Sequence, residues 1–151
     1  VRGDIQRLPV RPGGFDVVTC IQVLEHFEEP RARELAADLA ALLRPGGLLL
    51  LSVPVFPAAV IRLKRAADRA LVALGRGPIR GAAHPSHFSL ASALGLVPPG
   101  FRVIDVRGVR LFSLPGKALE NHRWWYRLHG WAGRVAPAWT VEVNITARST
   151  S

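Results

Sequence analysis

Glu25 and His26 stand side by side just beyond the apolar run FDVVTCI, and a carboxylate next to an imidazole can move a proton near neutral pH. That makes His26, with Glu25, a candidate general base. The competing reading is structural, with the pair organising a loop and the start of the following helix. Gln22, at the end of the same run, offers an amide to a ligand, or equally to solvent. His84 and His87 lie three apart in HPSHFS, and with Glu25 and His26 they could be drawn as metal ligands. The chain has no cysteine cluster and no HxxxH helix to support that reading, so no metal is expected.

Positioning these groups requires a strand, a loop, a helix and a second strand. Phe15 to Ile21 is apolar and β-branched, as expected of a strand buried on both faces. A helix is expected from about Arg31 to Leu43, with Leu35, Leu39, Leu42 and Leu43 on one stripe, stopped by Arg44-Pro45-Gly46-Gly47. Leu48 to Val53 is a second apolar strand, closed by Pro54. Two such strands joined by a helix make a right-handed βαβ unit and a parallel sheet. The candidate residues then fall at the carboxyl ends of the strands, where open α/β sheets bind ligands.

Beyond this unit, Val1 to Asp4 could end a preceding strand. Pro57 to Leu74 has a helical stripe of Val60, Leu63, Ala67, Leu71 and Leu74 opposite Arg62, Arg65 and Arg69. Ser89 can cap a short helix through Leu96, and Phe101 to Leu111 reads as a strand. Lys117 to Val135 is again helical, with Trp124, Leu128, Trp131 and Val135 spaced by four, three and four. Trp139 to Ala147 alternates as a closing strand, expected to be antiparallel.

With 151 residues, 49% hydrophobic and 21% charged, the chain suits one folded domain rather than a disordered one. Its single cysteine, Cys20, can form no internal disulfide, and its strand position predicts a buried thiol. No run is long enough to span a bilayer and no secretion signal opens the chain, so a cytoplasmic protein is expected. The net charge of +9 is unevenly spread. Residues 1–56 carry six basic and seven acidic groups, residues 57–80 six and one, and residues 102–134 seven and two. Positive charge therefore gathers in the two later helical segments, the second of which also holds Trp124, Trp125, Tyr126 and Trp131.

The ordered run GDIQRLP, FDVVTCIQVLEHF, LLRPGGLLLLSVP, HPSHFS and GFRVIDV resembles the class I S-adenosylmethionine-dependent methyltransferases, particularly the small-molecule branch that includes ubiquinone-biosynthesis O-methyltransferases. The resemblance implies a partial Rossmann-like α/β sheet, parallel except for its last strand and flanked by helices. Residues 1–151 would form one domain, the C-terminal part of a methyltransferase domain, with helical cap insertions at about 57–83 and 112–138. The family's GxGxG turn and the acidic residue ending its second strand have no counterpart here, which predicts a chain without its N-terminal cofactor half, or a remnant.

By the same resemblance the cofactor is S-adenosyl-L-methionine. Asp4 matches the carboxylate that accepts from the adenine amino group, and Ile5 the neighbour that packs on the ring; a simple Gly-Asp turn is the alternative. Cys20, Ile21 and Gln22 match the strand end that faces the methionine part. His84 and His87 fall in a loop over the substrate mouth, and Trp124 in a cap around the acceptor pocket.

These readings give methyl transfer to a small or amphiphilic acceptor, by O- or C-methylation, as the leading expectation. A non-catalytic binding protein or scaffold on the same fold is the first alternative. A nucleic-acid-directed enzyme is the second, suggested by charge alone and lacking the (D/N)PP(Y/F)-type loop of amino-directed DNA enzymes. The Arg- and Trp-bearing helices also suit peripheral contact with anionic lipid.

Overall fold

The computed structural model describes residues 3–7, 9–75, 87–111 and 122–150. Its sheet is built from β1 (Phe15–Ile21), β2 (Leu43–Pro54), β3 (Phe101–Leu111) and β4 (Thr140–Ser149), in the order β1-β2-β4-β3. The β1–β2 pair is parallel, and β4 runs antiparallel to both β2 and β3. The helices are α1 (Glu29–Ala40), α2 (Ala58–Ala73), α3 (Leu90–Leu94) and α4 (Arg123–Val135), with single 3-10 turns at Leu24–His26 and Pro137–Trp139.

Alternation along the strands separates two faces of the sheet. Leu49, Leu51 and Val53 of β2 and Val143, Ile145 and Ala147 of β4 join one buried cluster with Leu24, with Leu35, Ala36 and Leu39 of α1, and with Phe88, Ala93 and Leu96 around α3. That face is closed by helices. On the other face Val17 and Ile21 of β1 are 47% and 59% exposed. The expectation of a first strand buried on both faces is therefore corrected, because β1 is an edge strand and one of its faces is open.

The α1 helix is shorter than its leucine spacing predicts. It ends at Ala40, and Leu43 already pairs with Phe15. Arg44-Pro45-Gly46-Gly47 lies inside β2 opposite a register shift between Phe15 and Val17, with Gly46 at a φ of 76° that only glycine adopts cheaply. Leu42 and Leu43 share the helical period but belong to the strand entry. Gly3 and Asp4 lie in a turn rather than a strand.

Other expected elements hold. Ser89 caps α3 through a capping box with Ser92, both the side chain and backbone of each taking part. The β3 strand has its expected bounds, and the antiparallel closing strand is β4, preceded by the 3-10 turn at Trp139. Along α2, Ile61 is buried, Leu71 is half-buried and Leu74 is exposed.

The largest change concerns α4, whose start at Arg123 leaves residues 117–121 outside the described chain. Ala132 and Gly133 are buried, with Trp125 and His129 half-buried on the same side. Trp124, Leu128, Trp131 and Val135, the stripe picked out by spacing, are exposed. The buried side is chosen by close approach, since a Cβ added to Gly133 would run into the Gly108 carbonyl of β3. The bulkier stripe cannot come so near.

Candidate active site

The carboxyl end of β1 carries the candidate site. The Gln22 amide donates to the Ser52 carbonyl at 3.0 Å, continuing the β1–β2 ladder by one bond. Gln22 itself has a φ of 53°, in the left-handed region, and is exposed. A non-glycine residue there is strained by about 1–3 kcal/mol, and such strain concentrates at ligand-handling sites. It turns the chain sharply off the strand and into the 3-10 turn of Leu24–His26, closed by the Phe27 amide on the Leu24 carbonyl at 3.2 Å.

Within that turn Leu24 and Glu25 point inward and His26 outward. Glu25 is 1% exposed, and its Oε2 has no hydrogen-bond partner among the described residues. A buried carboxylate oxygen without a donor is costly, so it marks the rim as a place where a donor is wanted. The Cys20 side chain is buried below it. Desolvation, and then the Glu25 charge, push its thiol up to about 11 from 9.0. Cys20 can therefore serve a ligand only through its backbone.

Asp4 lies in a turn of its own. Its Oδ1 accepts from the Gln6 amide at 2.9 Å, and its carbonyl accepts from the Arg7 amide at 3.0 Å. The carboxylate is exposed, and its remaining lone pairs can take a further donor. Ile5 is half-buried against the core. The Arg31 guanidinium reaches from α1 to Gln6 Oε1 at 3.4 Å and to Glu34 at 2.8 Å, tying this turn to the first half of α1.

His87 belongs to the same rim. Its ring lies 5.8 Å from that of Phe56, and Phe88 bridges to Val55 just beyond β2. His84 lies outside the described residues. Trp124 is 53% exposed on α4, against β3 at the opposite edge of the sheet from β1, and with Arg123 and Arg127 it lines a surface hollow.

Sequence reading passed over the open face of the sheet. Ile21, Leu50, Ser52, Arg107 and Asn144 line a hollow of about 260 Å³ there, and the buried Ser52 hydroxyl donates to Glu142. The two-residue period of TVEVNITA already sets Glu142, Asn144 and Thr146 on one face, so the signal was present.

A parallel β1–β2 pair with the antiparallel β4 beside β2 and helices closing one face matches the class I S-adenosylmethionine-dependent methyltransferase fold of solved structures. Residues 1–51 match the model of the methyltransferase domain family. The chain is 50% identical over 42 residues to the ubiquinone biosynthesis O-methyltransferase of Xanthomonas campestris pv. campestris strain B100, a match covering 28% of this chain and 17% of that protein.

Solved structures agree on the fold. A SAM-dependent methyltransferase from Thermotoga maritima superposes with a TM-score of 0.60 at 15% identity, over 99% of this chain and 63% of that one. An S-adenosylmethionine-dependent methyltransferase from Mesorhizobium loti gives 0.55 at 18% identity, over 98% and 68%. Sequence and fold thus both resemble S-adenosylmethionine-dependent methyltransferases, and the match spans less than a fifth of the length of the curated relatives found. Among the described residues, no helix is long and apolar enough to cross a membrane.

Proposed function

We propose that this chain belongs to an enzyme that transfers a methyl group from S-adenosylmethionine to the oxygen or carbon of a small or amphiphilic acceptor. The observation that carries the reading lies in the segment matching the methyltransferase domain, residues 1–51, where the left-handed Gln22 swings the chain over a buried Glu25 at the carboxyl end of β1. The exposed groups at the rim suit the cofactor: the Asp4 carboxylate as an acceptor and the Gln22 amide as both donor and acceptor.

When bound, S-adenosylmethionine supplies an electrophilic methyl group on a sulfonium. Asp4 would accept from the adenine amino group and Ile5 would pack on the ring. Cys20 and Ile21 would offer backbone carbonyls to the methionine part, and Gln22 its side-chain amide. Glu25 holds the rim turn in place. His26, pointing outward, takes the proton from an acceptor hydroxyl, and His87 beside Phe56 orients the acceptor.

Isothermal titration of the full-length protein with S-adenosylhomocysteine tests the reading. Saturable binding is expected; no heat at millimolar ligand overturns it and favours a non-catalytic protein on this fold. In the active protein, His26→Asn is expected to lower turnover with little change in cofactor binding. Unchanged turnover would leave His26 a purely structural residue.

A further inference from the structure

The exposed side of α4 has an ordered chemistry that the proposed reaction does not use. At about 100° per residue, Trp124, Leu128, Trp131 and Val135 fall within about 60° of one another around the helix. They are 53%, 40%, 62% and 64% exposed. Arg123, Arg127 and Arg134 form a second row within about 40°, immediately beside the first. All three are exposed, and residues 121–141 contain no acidic side chain. Trp139, in the 3-10 turn that follows, is 59% exposed.

The remaining side of the helix, through Ala132 and Gly133, is already committed to β3. The outward stripe is therefore not a misplaced core face but a second apolar surface. Its composition selects the occupant. Tryptophan suits the boundary between hydrocarbon and headgroups, with the ring body apolar and the indole N–H still able to donate. A row of arginines flanking one edge of the stripe suits phosphates at the same depth, with their alkyl stems lying along the apolar surface.

We infer that α4 docks on an anionic lipid surface, with Trp124, Leu128, Trp131 and Val135 entering the interface and Arg123, Arg127 and Arg134 holding lipid phosphates. The inference is independent of the methyl-transfer reading, since none of its argument involves the β1 rim. A second copy of the chain and a nucleic acid are the other possible occupants. The first would bury the stripe against itself and bring six arginines together; the second would leave the Trp–Leu–Val row without a role.

The test is co-sedimentation of the full chain with vesicles of phosphatidylcholine, with and without phosphatidylglycerol, at low and raised salt, while following tryptophan fluorescence. Binding is expected to require phosphatidylglycerol, to shift the emission to the blue and to weaken with salt. Replacing all three arginines, R123Q with R127Q and R134Q, is expected to reduce partitioning by roughly a hundredfold, since each cation near an anionic surface contributes separately. W131S should also weaken binding and remove much of the blue shift while retaining the salt dependence.

Circular dichroism of each variant checks that the helix is retained; should a variant unfold, the salt and lipid-charge dependence of the unaltered chain still decides. Equal binding to neutral and anionic vesicles, or none to either, overturns the inference. So does dimerisation by sedimentation velocity that R123Q with R127Q and R134Q leaves intact and that competes with vesicles.

Discussion

Cys20 ties the chemistry of one side chain to the stability of the rim. Its thiol is buried, and desolvation followed by the neighbouring Glu25 charge raises it to about 11 from 9.0. The native chain therefore holds this proton to higher pH than the unfolded chain. The thiol makes no demand on stability below about pH 9, and stability is lost as pH rises from there toward 11, where the unfolded state binds fewer protons. Iodoacetamide should label the native protein far more slowly than the denatured one at about pH 8, where little thiolate exists. Cys20→Ala should flatten the alkaline fall in the urea midpoint. Labelling as fast as that of a free thiol would mean that the strand end opens readily. The thiol's burial was legible in the sequence, because Cys20 lies in an apolar strand. Gln22's left-handed backbone was not, since nothing in a glutamine side chain announces a positive φ.

Among the elements, α4 is fixed by its smallest residues. Gly133 lies so close to Gly108 that an alanine methyl would strike the β3 carbonyl, with backbone rather than a flexible side chain in the way. Gly133→Ala should destabilise the protein by about 1–3 kcal/mol, the usual cost of overpacking, even though alanine favours the helix itself. Gly130→Ala is the control: a Cβ there meets nothing, and the change should be neutral or stabilising. Thermal unfolding of the two variants checks the contrast, and equal midpoints would show that α4 is not seated on β3. Helical spacing found both the element and the residues that share a side, but it could not say which side is buried. The heavier Trp–Leu–Trp–Val row outweighs Ala132 and Gly133 on any hydrophobic scale, yet contact with β3 is decided by how near the backbones can come.

At the scale of the whole molecule, the strand pairing was legible because β1 and β2 are apolar runs joined by a helix, while β4 alternates as an antiparallel strand should. What the pattern concealed is how little covers the far side of β1. A run such as FDVVTCI reads as buried on both faces, but Phe15, Val17 and Ile21 line an exposed face of an edge strand. Exposed apolar side chains next to unpaired edge amides and carbonyls are a template for pairing with another chain. The 151-residue chain is therefore expected to self-associate as its concentration rises. Val17→Lys places a charge in the middle of that face without touching the Cys20 side of the strand, which is packed on the core. It should raise the concentration at which scattering appears by about severalfold, edge lysines being a common device against such pairing. Arg148→Lys on β4 alters no apolar face and should leave that onset unchanged. If Val17→Lys scatters at the same concentration as the unaltered chain, association runs through another surface, and the Trp124–Val135 stripe of α4 is the next to examine, since it too is an exposed apolar row.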